Sequence, residues 1–172
     1  FMDVQFNSDA PGTADDITYV YDICTNGAGR LCSVSNSSAT VAYAYTAFGE
    51  TKQVDQTVNA YQGNAQSQSQ VSYSYDAAGR LQDVIYPSGS KITYTRDAAG
   101  NVYSVILNDG EKNLVTASAY NPFGAASTVT RGNGSVINGQ RDSAYRLSMI
   151  GNTSYFYDVI NYDENGNPAT FN

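Results

Sequence analysis

The chain contains no histidine and no tryptophan. Without imidazole it lacks the usual general base near neutral pH and the commonest transition-metal ligand. Cysteine is limited to Cys24 and Cys32, and their separation of eight matches neither a Cys-x-x-Cys redox pair nor a zinc set. Basic side chains are scarce: 9 Lys and Arg stand against 16 Asp and Glu, a net charge of −7. That argues against a nucleic-acid partner, which needs basic stripes. No apolar run approaches the roughly 20 residues of a spanning helix, so membrane insertion is not expected. The first residues lack the basic and apolar regions of a signal peptide, and Phe1-Met2-Asp3 reads as a mature, cleaved or excised start. Gly-x-Ser-x-Gly, phosphate-cradling Gly-Lys-Ser/Thr and His-Glu-x-x-His are all missing. Asp163-Glu164-Asn165-Gly166-Asn167 clusters oxygen ligands around a glycine, but lacks the spacing and distal Glu of a calcium loop. Catalytic, cofactor and metal sites are therefore all read as none.

What the chain does have is 15 Tyr, 15 Gly and a recurring phrase, Tyr-x-Tyr-Asp-x-x-Gly-Arg-Leu. Its clearest copy is Tyr73-Ser74-Tyr75-Asp76-Ala77-Ala78-Gly79-Arg80-Leu81, followed by Tyr94-Thr95-Arg96-Asp97-Ala98-Ala99-Gly100-Asn101-Val102. Tyr19 to Leu31 holds a third copy interrupted by Ile23 to Asn26, and weaker copies centre on Tyr43-Ala44-Tyr45, Tyr120, Tyr145 and Tyr162. The turn glycine or its replacement falls at 29, 49, 79, 100, 124, 145 and 166, giving steps of 20, 30, 21, 24, 21 and 21. A unit of about 21 residues suits two short strands and two turns. The long step contains a Gln/Ser/Asn-rich stretch, read as an enlarged loop at about 55–70. Tyr-x-Tyr has the period of a strand, and nothing sustains a helical period. The expected fold class is all-β, with a lead-in over 1–16 and a hairpin array over 17–172.

Each phrase makes sense as a hairpin tip. Asp suits the first position of a type I turn, and Gly then closes a three-residue loop in the left-handed conformation. Asp76, Gly79, Arg80, Asp97, Gly100, Gly124 and Gly166 are the repeat-turn residues, with Pro122-Phe123-Gly124 fitting the same geometry. This register sets Asp76 across from Arg80 and Tyr75 across from Leu81, with Tyr73, Tyr75, Leu81 and Ile85 sharing one face. Tyr145 stands where glycine is expected, which predicts another turn type or an alignment shifted by one residue. Tyr43, Tyr45, Tyr73, Tyr75, Tyr94 and Tyr120 read first as an apolar spine with hydroxyls on the wet side, and second as a glycan-stacking platform. Cys24 and Cys32 flank the first turn and are disulfide candidates; a bond there would stabilise by about 2–3 kcal/mol and fit an oxidising compartment. Sequons at Asn36, Asn133 and Asn152 are consistent with surface loops.

The run Tyr75-Asp76-Ala77-Ala78-Gly79-Arg80-Leu81, with Val84, Tyr86-Pro87 and Gly89, then Tyr94, Asp97 and Gly100-Asn101, closely resembles the YD repeat of bacterial Rhs proteins. Similar repeats occur in insecticidal toxin-complex shells and in teneurins. The resemblance implies a twisted or spiralling β-strip forming part of a shell or tube wall, in a secreted or surface-exposed, bacterial setting. It implies other YD-repeat strands as partners, in the same chain or another copy, and leaves glycan binding and toxin encapsulation as alternatives. The family's self-cleavage element is not matched, because Asn121-Pro122-Phe123-Gly124 lacks its leading Asp. Ends that differ predict head-to-tail self-pairing.

Overall fold

The structure is a computed structural model that describes residues 16–60, 65–122, 124–152, 156–157 and 161–170. The lead-in expected over 1–16 lies outside these residues except for Asp16, as do Phe123 and part of the Asn152 sequon. The chain divides into two compact units, 1–91 and 92–172.

In the first unit β1 (Thr18–Tyr21), β2 (Leu31–Ser35), β3 (Ala39–Tyr45), β4 (Thr51–Val58), β5 (Ser67–Tyr75) and β6 (Leu81–Ile85) follow one another. Each pairs antiparallel with the next. At the boundary begins β7 (Lys91–Arg96). The second unit continues with β8 (Val102–Leu107), β9 (Lys112–Tyr120), β10 (Ala126–Arg131), β11 (Val136–Arg141), β12 (Leu147–Asn152) and β13 (Phe156–Tyr157). These also pair in sequence order. A last hairpin joins β14 (Asn161–Tyr162) to β15 (Pro168–Thr170). The one helical element among the described residues is a single 3-10 turn, Asn108–Gly110. The fold is an all-β array of antiparallel hairpins.

Two expectations need correction. The Gln/Ser-rich stretch is mostly strand: β4 extends to Val58 and β5 starts at Ser67, in continuous register from Gln53↔Ser72 to Val58↔Ser67. Polar side chains there misled the loop reading; they belong to a hairpin exposed to water and not to a turn. Ile85 is also on the wrong face. Tyr75 does face Leu81, but Ser74 faces Asp83, so Gln82 is an extra, bulged residue. A bulge shifts side-chain parity by one. Val84 therefore faces Tyr73 and is buried, while Ile85 faces Ser72 and stays exposed.

The same bulge follows the other signature turns, leaving Cys32, Lys52, Tyr103, Ser127, Ser148 and Ala169 unpaired in their ladders. In the first unit one face thus gathers Val34, Val41, Tyr43, Tyr45, Val54, Val71, Tyr73, Tyr75 and Val84. The other carries Ser33, Gln53, Asp55, Gln70, Ser74 and Asp83, tied by bonds such as Ser74 Oγ to Asp83 Oδ2 at 2.7 Å. Only Gly27, Cys32, Val84, Ser104 and Gly151 are buried among the described residues. Backbone ladders and half-buried cross-strand pairs, not a deep core, hold each unit together.

Candidate functional site

The recurring chemistry sits at the signature turns. At the clearest one, Asp76 N–H donates to the Arg80 carbonyl at 2.9 Å and Gly79 N–H to the Asp76 carbonyl at 2.9 Å. Asp76 Oδ1 accepts the backbone N–H groups of Ala78 (2.9 Å) and Arg80 (3.0 Å), and Oδ2 accepts Arg80 Nε at 2.8 Å. Asp142 repeats this with Ala144 and Arg146. At Asp97 and Asp163 the side chains of Asn101 and Asn167 replace the guanidinium, each at 3.2 Å. Gly79, Gly100, Gly124 and Gly166 all take positive φ.

These bonds set the acidities. Asp76 and Asp163 lie below the ordinary 3.8 chiefly because the backbone N–H groups of Arg80 and Asn167 favour the carboxylate. Asp142 is lowered first by the Arg146 side chain. Desolvation pushes Asp97 upward, yet the bonds from Asn101 outweigh it and leave its value lowered. Each carboxylate is held ionised by donors of its own turn and braces that turn.

Tyr145 corrects a further expectation. It occupies the glycine position itself, at φ +65, and its N–H donates to the Asp142 carbonyl at 2.9 Å as glycine's does elsewhere. Turn type and alignment are unchanged; the side chain bears a left-handed conformation that disfavours aromatic residues.

The second tyrosine of the phrase connects one hairpin to the one before it. Tyr45 Oη donates to the Leu31 carbonyl at 2.6 Å, Tyr75 to Thr51 at 2.7 Å, Tyr120 to Val102 at 2.7 Å and Tyr162 to Leu147 at 2.8 Å. In every case the acceptor is the first residue after the preceding signature turn. Each of these hydroxyls donates its proton to a backbone carbonyl of the preceding hairpin. Partial burial, then Glu50 and Tyr73, raise the Tyr75 phenol above 10.0, keeping it the donor this contact requires. Tyr43, Tyr73 and Tyr94 lie half-buried on their faces. Where arginine replaces the second tyrosine, it folds onto its own turn: Arg96 Nη1 donates to Gly100 at 3.2 Å and Arg141 Nη1 to Tyr145 at 3.0 Å.

At two of these junctions the residue just before the acceptor adds a second link. The Arg30 guanidinium lies 5.6 Å from the Tyr45 ring centroid, and that of Arg146 lies 4.2 Å from the Tyr162 ring. A side chain at Gly49 would collide with Arg30, and one at Gly79 would meet Glu50 Oε1 at 3.2 Å. Gly49 and Gly79 therefore close their own turns and also leave room for the preceding one. Composition offered no sign of these links, because they span 14 to 29 residues; the repetition of tyrosine immediately before most signature turns was the available signal.

The inserted loop of the first copy reinforces its junction. Cys24 and Cys32 are joined by a disulfide with Cα atoms 5.4 Å apart, and any side chain on Gly27 would strike both sulfurs. The loop held by that bond reaches β3: Asn26 Nδ2 donates to the Tyr45 carbonyl at 3.0 Å, and Tyr45 N–H to Thr25 at 3.4 Å. Among the described residues, no group of three His, Cys, Asp or Glu gathers as a metal set.

Residues 75–112 match the RHS Repeat family. No curated protein matches the sequence. Among solved structures, the chain superposes on TcdB2-TccC3 with a TM-score of 0.77 at 15% identity. It matches TcdB2-TccC3-Cdc42 at 0.76 and 14%, and a Photorhabdus luminescens Tc holotoxin pore with a TccC3 mutation at 0.75 and 14%. Each likeness covers 93% of this chain and only 9% of the other. Two signature turns, Asp76–Arg80 and Asp97–Asn101, lie inside the matched segment, so the RHS repeat is matched at residues 75–112, while the fold is shared across 93% of the chain.

Proposed function

We propose that the chain is a structural, non-enzymatic stretch of wall within a larger hairpin array, in a secreted or surface-exposed protein. The observation that carries this reading is the junction between hairpins: at four junctions tyrosine hydroxyls, with stacked arginines or turn glycines at some of them, are spent on holding a hairpin to its predecessor. Such contacts build a surface of indefinite length and leave little for catalysis. The near absence of buried side chains supports it, since a chain with this little core depends on neighbouring structure for much of its stability. The Cys24–Cys32 bond supports an oxidising setting. The solved structures add the fold, in chains about ten times longer, since 93% of this chain covers 9% of theirs.

Single-particle cryo-electron microscopy of the longer protein containing this stretch tests the proposal. The expected result is strand pairing that continues from these hairpins into further hairpins surrounding an enclosed volume. A separate domain tethered by linkers, with no strand continuity, would overturn it.

A further inference from the structure

β5 outruns one of its neighbours. Its ladder with β4 continues to Ser67, whereas its ladder with β6 stops where Ser72 faces Ile85. There the Tyr86–Ser90 turn ends the run of β6, with Pro87 offering no N–H. Ser67 to Val71 is thus a strand edge in the interior of the array.

The direction of its backbone follows from the tip. Asp76 N–H donates towards the β6 side, to Arg80. Backbone direction alternates along a strand, so Ser74, Ser72, Gln70 and Gln68 also aim N–H and C=O to that side. Among the described residues, no strand is paired opposite Gln70 and Gln68. The edge has none of the usual protections: residues 66–71 contain no charge, proline or glycine, and the β4–β5 register has no bulge there. Beside it lies a cleft of about 540 Å³, bounded by Gln68, Gln70, Ile85, Tyr86 and Pro87.

We propose that this edge pairs with the same edge of a second copy, antiparallel about a two-fold axis through Ser69. The segment is self-complementary in that arrangement. Gln68 meets Gln70 of the second copy and Gln70 meets its Gln68, so all four outward N–H groups find carbonyls. The two glutamine side chains share a face, and Gln70 is already anchored there by its Nε2 bond to Asp55 Oδ1 at 2.8 Å. Charge favours the same place. At −7, two copies repel over much of their surface; residues 66–71 carry no charge, and the Asp55 carboxylate beside them already accepts bonds from Gln53 and Gln70. An isologous contact of this kind closes on itself as a dimer, unlike the head-to-tail pairing expected from unlike ends. The inference does not depend on the wall reading.

A short edge makes a weak contact, so the test traps it covalently. The Cys24–Cys32 bond leaves no free thiol among the described residues, and an added cysteine reports cleanly. On the axis, Ser69 faces its own copy as a pair whose Cα atoms lie about 4.5 Å apart, within disulfide reach. Ser67 and its copy are four residues out of register, about 13 Å apart. Under mild oxidation of the untagged chain, Ser69→Cys is expected to form covalent dimers at least tenfold faster than Ser67→Cys. Adding Gln68→Pro, which deletes an outward N–H and spares the β4 ladder, lowers the Ser69→Cys rate to that of Ser67→Cys. Equal linking at positions 67 and 69 overturns the proposal, as does Ser69→Cys linking that is indifferent to Gln68→Pro in a chain with an unchanged far-ultraviolet spectrum.

Discussion

Two kinds of turn alternate along each unit, and some share one backbone geometry. At Tyr86–Ser90 and Arg131–Ser135 the first N–H reaches the fifth carbonyl and the glycine N–H returns to the first, as at Asp76–Arg80. Gly89 and Gly134 adopt φ of +82 and +81 beside +74 at Gly79. Nothing lies within 4 Å of where a side chain on Gly89 or Gly134 would be, and signature Gly124 is equally open, whereas Gly49 has Arg30 and Gly79 has Glu50 against it. The turn itself therefore needs neither the Asp brace nor the preceding tyrosine. The tyrosine recurs because at four signature turns it also ties one hairpin to the one before it, while the Asp brace bonds only within its own turn.

That comparison can be broken most severely at the first junction. Replacing Cys24 and Cys32 with alanine should cost about 2–3 kcal/mol in denaturant unfolding, from release of the unfolded-state constraint. It should also expose Tyr45, whose backbone the inserted loop bonds at both N–H and carbonyl. If stability falls while amide exchange at Tyr45 is unaltered, the loop does not couple the hairpins.

Tyr145→Gly sharpens the comparison in the opposite direction. Relief of the left-handed tyrosine should stabilise the chain by about 0.5–1 kcal/mol, after the entropy cost of glycine in the unfolded state. A destabilised variant would mean that the Tyr145 side chain, 39% exposed, contributes more than its backbone costs.

Acid offers the smallest and most selective effect. Asp76, Asp97, Asp142 and Asp163 all titrate below the ordinary 3.8 in the folded chain. A depressed carboxylate contributes stability above its unfolded value and loses it as pH falls through the folded one. Unfolding free energy should hold near neutrality and decline below about pH 4. Asp76→Asn should flatten that decline, while Ser88→Ala in a turn without a carboxylate should leave its slope unaltered.

The period, the turn chemistry and the Asp76–Arg80 register were legible because they are encoded within a few neighbouring residues. Parity beyond the turn was not. One bulged residue, Gln82, exchanged Ile85 for Val84 on the tyrosine face, and nothing in its identity announces a bulge. The strand character of Gln68 to Gln70 was hidden by polarity, since a strand exposed to water has no apolar alternation to display. The second-tyrosine contacts were invisible for a different cause: their acceptors are backbone carbonyls, which every residue possesses. Only the pairing order decides which carbonyl comes within reach.

The most direct measurement compares the two tyrosines of a single phrase. Tyr75 Oη donates to Thr51 at 2.7 Å, while Tyr73 lies on the same face and its contribution is its ring against Val84. Urea unfolding of Tyr75→Phe should show a loss of about 1 kcal/mol, and Tyr73→Phe a change within about 0.5 kcal/mol. Equal losses, or a larger loss at Tyr73, would contradict the account, because the hydroxyl before the turn would then not be what joins one hairpin to the next.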